Sequence, residues 1–222
     1  DMMRLGMLVG SGGVLSHAPR RQQAALMLLD AFQPEGVTEL AVDSIFMMPH
    51  LGVLSAVYPD IAAEVFDKDC LVRLGTSIAP VGIAKPGAAL ASVDIALPGQ
   101  KPIQEQVIAG EIKVVPLNVG EQAVCKVHPK GRNIDIGVGG GRSMEVIVHG
   151  GLVGIILDGR GRPIELPSDP ISRVASLSRW LISMDAYPKS KIEELQALFP
   201  VGADKGGAGK GYGGLFKRNR KD

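Results

Sequence analysis

The sequence predicts an α+β protein in which an α/β segment precedes a β-rich segment. Residues 4–70 hold a strand, a long helix and a second strand, whereas residues 71–164 lack the helical period and alternate over short stretches. The chain has 29 glycines and 15 prolines, which favours many turns and many short strands. With 45% apolar and 21% charged residues, the 222-residue chain is typical of a globular protein with an apolar core.

The first predicted element is a buried apolar strand at residues 4–9, which runs into the glycine-rich turn Gly10-Ser11-Gly12-Gly13. Pro19 then precedes a predicted helix at residues 20–32, which is apolar on most of its sides. An apolar helix of this kind is typical of a layer between a sheet and other structure, and we expect it to be buried.

The next elements complete the α/β segment. A short strand is predicted at residues 37–42 and a loop with a broken helix at residues 45–57, where Pro49 and Gly52 interrupt the apolar pattern. Pro59 and Asp60 favour a helix start, because proline fits the first turn and an acidic side chain complements the helix dipole there. That helix extends to residue 66.

The β-rich segment contains a series of short apolar or alternating stretches, at residues 71–78, 92–97, 123–128, 133–138, 144–149 and 152–157. In residues 123–128 the first, third and fifth side chains are predicted to point inward. Six or seven short strands separated by glycines predict a small barrel or a sandwich.

Two helices are predicted after the strands. Ser168-Asp169-Pro170 is a helix-start signal, and an apolar stripe follows at Val174, Leu177, Leu181 and Met184, flanked by Ile171 and Trp180. A shorter helix is predicted at residues 191–199. Residues 201–222 are rich in glycine and charge and are predicted to form a disordered basic tail.

The predicted domain division has four parts: residues 1–70, the β-rich domain 71–165, the C-terminal helices 166–200 and the tail 201–222. The chain enters a strand almost at once, and we expect it to be the C-terminal part of a larger protein. The net charge of the chain is +1, of which the tail from Asp204 carries +4, so the remaining residues carry −3. This mildly acidic body does not predict binding to nucleic acid.

The composition of the chain also indicates in which cellular compartment the protein is expected. No apolar run approaches the roughly 20 residues needed to cross a bilayer, and no signal peptide is visible, so no membrane partner is expected. Cys70 and Cys125 lack CxxC spacing and are predicted to be reduced, buried thiols. These features predict a cytoplasmic protein.

The glycine turn at residues 10–13 is the best candidate site. Glycine tolerates positive φ and has no Cβ, so backbone amides there can approach a phosphate or nucleoside closely. The segment is not a P-loop, and Leu15 occupies the place of the third glycine of a dinucleotide fingerprint. A tight turn without a ligand is an equal alternative. Asp43 follows the second strand and is either a nucleotide-contacting acid, a surface acid or a helix cap.

The other motifs give weaker evidence for a functional site than the glycine turn does. The glycines at residues 137–143 lie between two alternating strands and predict a hairpin or a bulge. Residues 158–163 predict a turn whose two arginines could meet an anion. Neither the four histidines nor Asp67 and Asp69 show a metal-ligand or catalytic pattern, so we assign no catalytic residue and no metal site.

Several segments together resemble the glutamate mutase L family, namely residues 8–17, 41–44, 47–55 and 74–82. The resemblance covers roughly residues 4–185. Members are accessory proteins associated with the adenosylcobalamin-dependent glutamate (methylaspartate) mutase, and the family resembles the superfamily of actin, sugar kinases and 70-kilodalton chaperone ATPases.

The resemblance implies that residues 1–70 are the C-terminal segment of an actin-like ATPase core. It implies that Gly10, Ser11, Gly12 and Gly13 contact ATP or ADP, bound with Mg, while the phosphate motifs for hydrolysis would lie upstream of this sequence. The implied partners are cobalamin-dependent mutase subunits. No isomerase chemistry is expected in this chain, and no direct cobalamin site, because a DxHxxG motif is absent.

Two alternatives remain beside this accessory, ATPase-like function, and whether the chain is part of an active enzyme is open. The chain could be a non-enzymatic interaction module in which the β-rich domain binds a partner and the glycine turn is purely structural. A dinucleotide-dependent oxidoreductase is a third interpretation, against which the defective fingerprint and the lack of further βαβ units both count.

Overall fold

A computed structural model describes residues 2–198 and shows two sheets and six helices. The strands are β1 (Met7–Gly10), β2 (Gly36–Asp43), β3 (Leu71–Ala79), β4 (Ala89–Ala96), β5 (Ile103–Ile108), β6 (Ile112–Val115), β7 (Gln122–Pro129), β8 (Met144–His149) and β9 (Gly154–Asp158). The helices are α1 (Gly13–Ser16), α2 (Arg21–Phe32), α3 (Met48–Leu54), α4 (Pro59–Val65), α5 (Pro170–Ser183) and α6 (Lys189–Ala197). A 3-10 turn spans Met2–Arg4, and a π-helical turn spans Phe66–Cys70.

The larger sheet is mixed and has the order β1-β2-β3-β9-β6. Strands β1 and β2 are parallel and joined through α2, β2 and β3 are antiparallel, and β9 pairs parallel with β3 and antiparallel with β6. Gly75 makes the β3–β9 contact possible, because its φ is +134° and a Cβ there would lie 1.9 Å from the carbonyl oxygen of Gly154.

The smaller sheet is antiparallel, in the order β5-β4-β7-β8, and packs against the larger one. Their shared core contains Ile78, Ile155 and Leu157 from the larger sheet and Val93, Ile95, Cys125 and Val127 from the smaller one. The predicted inward set Ala123, Cys125 and Val127 is confirmed, since all three side chains are buried. No barrel closes among the described residues, because both sheets are open: β1 and β6 are the edges of the larger sheet, and β5 and β8 are the edges of the smaller one. The barrel alternative is therefore wrong.

A second core lies between the larger sheet and its covering helices. Helix α2 contributes five buried residues (Ala24, Ala25, Leu26, Leu28 and Leu29), and α5 contributes Trp180. They pack on sheet residues such as Leu40, Val42 and Ile156. The predicted start of α5 is confirmed, since the Asp169 carboxylate accepts a hydrogen bond of 2.7 Å from the Ser172 amide.

Two parts of the sequence prediction differ from the fold. Residues 133–138 do not form a strand, because the Asp135 carboxylate accepts hydrogen bonds from the amides of Gly137 (2.8 Å) and Gly139 (3.0 Å) and folds the chain into a turn. Strands β5 and β6 were not predicted. The predicted tail, and Phe199 at the end of the second C-terminal helix, lie outside the described residues.

Strand pairing also crosses residue 70, where the sequence division places its first boundary. Strand β2 from the first part and β3 from the second are paired along their whole lengths. The division itself stays a prediction. Cys70 and Cys125 are both free and buried, and burial raises the pKa of the Cys125 thiol to about 11. Within residues 2–198, no helix combines the length and apolar character that a membrane crossing needs.

Candidate functional site at the ends of two parallel strands

The glycine turn lies at the carboxyl ends of β1 and β2. These strands are parallel with Gly10 opposite Val42, so the residues after Gly10 and the last residue of β2, Asp43, meet at the same edge of the sheet. The carboxyl ends of parallel strands are where open α/β sheets bind ligands. The structure therefore brings together all five residues predicted for the site.

Glycine is favoured at positions 10 and 12 for two different physical reasons. Gly12 has a φ of +114°, in the region that side chains rarely adopt. A Cβ on Gly10 would lie 2.6 Å from Leu15 Cδ1 and 2.8 Å from Leu28 Cδ2, so Gly10 allows α1 and α2 to approach the end of β1. Gly12 is thus favoured by its backbone conformation, whereas a larger residue at position 10 would have to displace the ends of the Leu15 and Leu28 side chains.

Gly13 differs from these two, because no heavy atom lies within 4 Å of the position that its Cβ would occupy. Within residues 2–198, the amide groups of Ser11, Gly12 and Gly13 donate no backbone hydrogen bond. Ser11 and Gly13 are exposed. The turn therefore leaves neighbouring N–H groups without a backbone acceptor, and such groups can bind an anion when they point to the same side.

Asp43 ties the turn to the start of α3. Its Oδ1 accepts a hydrogen bond from the Met47 amide (3.1 Å), and its Oδ2 accepts from the Met48 amide (2.9 Å) and the Ser11 hydroxyl (3.2 Å). Ser16 Oγ donates to the Asp43 carbonyl oxygen at 2.7 Å. The side chain is fully buried, so the surface-acid alternative is wrong. Asp43 is not the N-cap residue of α3, which is Met47, but its carboxylate caps the amides of Met47 and Met48 at the start of that helix.

The charge state of Asp43 follows from these contacts. Burial alone would raise the pKa of this carboxyl group, but the hydrogen bonds from Met48, Met47 and Ser11 outweigh burial and lower the pKa below its ordinary value. Asp43 is therefore an ionised carboxylate held by neutral donors. Ser16 also belongs to this site but was not predicted from the sequence, because Asp43, whose carbonyl oxygen accepts its hydrogen bond, is distant in the sequence.

A surface groove of about 520 Å³ adjoins Gly13. Its lining includes Val14, His17, Pro19, Met27, Leu181 and Tyr187. Aliphatic and ring side chains thus stand beside exposed backbone donors, which suits a ligand with a flat apolar part and an anionic part.

The arginines of residues 158–163 form a separate, closed cluster. Arg160 donates to both oxygens of Asp158 at 2.9 Å and to Asp30 at 2.7 Å, and Arg162 donates to Asp158 at 3.0 Å. Arg160 also stacks on Trp180, with 5.1 Å between the guanidinium carbon and the ring centroid. Two cations and two anions balance, so the anion that these arginines meet is internal to the protein.

The remaining motifs do not join the candidate site. The second glycine cluster lies in the connection between the antiparallel strands β7 and β8, at residues 130–143. The hairpin predicted between residues 133–138 and 144–149 does not form, because residues 133–138 are not a strand. Among the described residues, no group of three or more His, Cys, Asp or Glu side chains is placed to hold a metal ion.

Comparison with known proteins gives one match. Searches of curated proteins and of solved structures found none. A family model described as MutL protein matches residues 1–70, which contain the glycine turn, Asp43, α3 and α4. The similar segment at residues 74–82 lies beyond that match. Over residues 1–70, the resemblance to the glutamate mutase L family is confirmed.

Proposed function

We propose that this chain is part of an accessory protein of an adenosylcobalamin-dependent glutamate mutase, and that it binds an adenine nucleotide at the glycine turn. The observation that carries the proposal is the set of N–H groups without a backbone acceptor at Ser11, Gly12 and Gly13, inside the segment that matches the MutL protein family. An actin-like ATPase core, of which residues 1–70 would be the C-terminal segment, belongs to the same proposal.

In this proposal each residue has a role in nucleotide binding. The amides of residues 11–13 donate to phosphate oxygens, because unpaired N–H groups favour an anion. The groove beside Gly13 receives the base between aliphatic and ring side chains. Asp43 acts as a positioning residue, since its carboxylate is buried and already accepts three hydrogen bonds.

The described residues do not supply a magnesium site of their own. Asp43 is the carboxylate next to the turn, and both of its oxygens are engaged. No step of the proposed binding therefore passes through Mg²⁺. The chain binds and orients the nucleotide, and nucleotide occupancy changes the affinity for the cobalamin-dependent mutase subunits through a coupling between the two binding sites.

A non-enzymatic interaction module is the second candidate function, and one observation favours it. Gly10 and Gly12 are both explained without a ligand, by close packing against Leu15 and Leu28 and by a positive φ. Under this alternative the turn only connects β1 to α1, and substitutions in it leave partner binding intact.

Calorimetric titration of ATP and of ADP into the chain tests the proposal. Gly13→Val is the sharpest variant, because it adds a side chain in open space at an ordinary backbone conformation and covers the donors without strain. Gly52→Val is the matched control, since Gly52 also has open space and no positive φ. We expect micromolar binding that Gly13→Val weakens at least about tenfold, a difference of about 1.4 kcal/mol, and that Gly52→Val retains.

A second pair of variants repeats the test at a strained position. Gly12→Val is expected to abolish binding, and Gly99→Val is its control, with a positive φ and open space far along the sequence. Absence of heat from the folded wild-type chain, or full binding by Gly13→Val, would refute nucleotide binding here. Co-purification of mutase subunits with Gly13→Val then measures partner binding separately.

A further inference from the structure

Helices α3 and α4 and the connection between them leave several large apolar side chains exposed. Their local core contains three buried residues, Leu51, Ala62 and Cys70. By contrast, five of the nine residues at positions 53–61 are large, apolar and exposed: Val53, Leu54, Val57, Tyr58 and Ile61. Single exposed apolar residues are ordinary, but a contiguous group marks an interaction surface. We call these five residues the α3–α4 face.

Acidic side chains adjoin this face. Asp60, Glu64, Asp67 and Asp69 are all exposed, and they follow one another across α4 and the π-helical turn. Glu64 pairs with Lys68, and Asp67 pairs with Arg73. Within residues 2–198, Asp60 and Asp69 form no ion pair, so the apolar face is bordered by uncompensated negative charge. A fitting occupant has apolar side chains next to cations.

Residues 212–221 combine apolar side chains with neighbouring cations in this way. Tyr212, Leu215 and Phe216 are followed directly by four cations, Lys217, Arg218, Arg220 and Lys221. The charges also complement each other across the chain, since the part from Asp204 carries +4 and the rest −3. We propose that residues 212–221 dock on the α3–α4 face, with the apolar residues on Val57 and Ile61 and the cations beside Asp60 and Asp69.

The length of chain available permits this contact. Leu198 ends the described residues, and 14 residues from Phe199 to Tyr212 span up to about 45 Å when extended. A compact body of this size has a radius of gyration of about 16 Å and a diameter of about 40 Å. The contact stands apart from nucleotide binding, because it uses none of residues 10–13.

Amide hydrogen exchange measured by mass spectrometry on the full chain tests the proposal. Reversing the four cations to glutamate (Lys217→Glu, Arg218→Glu, Arg220→Glu and Lys221→Glu) is expected to speed exchange across residues 53–61 by at least about fivefold. Exchange in α2 and β2 should not change, which controls for folding. Lys189→Glu with Lys191→Glu, on α6, is the charge control and should leave the face protected.

A charge swap distinguishes contact from a general charge effect. Asp60→Lys with Asp69→Lys, added to the reversed chain, should restore protection of residues 53–61. The proposal is overturned if reversal of the four cations leaves exchange unchanged, or if the swap fails to restore protection. Protection that falls on dilution would also overturn it, because the occupant would then be the end of a second copy.

Discussion

Asp43 and Asp158 occupy equivalent places in one sheet and are stabilised in different ways. Each is the last residue of its strand, each is buried, and each has a lowered carboxyl pKa. Asp43 accepts hydrogen bonds from two amides and a hydroxyl, whereas Asp158 is held by the guanidinium groups of Arg160 and Arg162. One carboxylate is held by dipoles and the other by opposite charges.

This difference predicts which of the two carboxylates can be replaced at the lower cost in stability. Burial works against the charge of Asp158, but hydrogen bonds and attraction from Arg160, together with Arg162, lower its pKa. Burial likewise works against Arg160, whose pKa is raised by its bonds to Asp158 and by Asp30. Removal of Asp158 leaves buried cations, while removal of the Asp43 charge leaves only neutral donors, and neutral donors cost less to leave unpaired.

The largest expected effect comes from Asp158→Ala. Arg160 and Arg162 would remain nearly inaccessible, with side-chain exposures of 1% and 2%, and would lose their shared anion. Breaking a buried pair in this way costs about 3–5 kcal/mol. Urea unfolding measures the loss, and a decrease below about 1 kcal/mol would show that Asp30 alone satisfies the two arginines.

A smaller effect is expected for Asp43→Asn. An amide oxygen in the place of Oδ2 can still accept from Met48 and Ser11, but the amide NH₂ then faces the Met47 N–H and leaves it without an acceptor. The expected cost is about 1–3 kcal/mol. Asp60→Asn, at an exposed position of α4, is the matched control. Equal stability of Asp43→Asn and wild type would contradict the cap assigned to Asp43.

The stability gap between wild type and Asp43→Asn should also depend on pH. A carboxyl group with a lowered folded pKa stabilises the fold above the unfolded value of about 3.9, and that contribution is lost as the pH falls through the folded pKa. The gap should therefore be full at pH 7 and shrink as the solution is acidified below about pH 4. Unfolding curves at several pH values measure it, and a gap that widens in acid would reverse the sign assigned to Asp43.

The smallest effect is expected for Asp30→Asn. Asp30 also binds Arg160, but its side chain is 58% exposed, so water screens the pair and replaces the lost contact. The cost should be about 0–1 kcal/mol. A cost as large as that of Asp158→Ala would mean that the two carboxylates act as one unit.

Sequence patterns located the secondary structure better than they located the partners of charged residues. Residues 158–163 are predicted to form a turn whose two arginines could meet an anion, and in the structure that anion is Asp158, two residues before Arg160. A bond across two residues cannot be inferred from spacing, because it depends on whether α2 and α5 cover the turn. Residues 133–138 alternate like a strand, but the hydrogen bonds that the Asp135 carboxylate accepts from the Gly137 and Gly139 amides compete with strand pairing there.

The candidate site was predictable in part. The glycine turn follows from a strand that ends in glycines, and its nearness to Asp43 follows once β1 and β2 are known to be parallel. The burial of Asp43 could not be predicted, because it depends on α3 folding back so that the Met47 and Met48 amides reach the carboxylate. No local pattern encodes that return.

Strand β3 has a consequence for how the polypeptide reaches its native state during synthesis. Its neighbour β9 belongs to residues 154–158, so residues 80–153 must leave the ribosome before the central part of the larger sheet can close. Until then, the emerging first half exposes the free edge of β3, a surface on which nascent chains aggregate. A shortened polypeptide that ends at residue 70 would also lack the β3 partner of β2, and it should be insoluble.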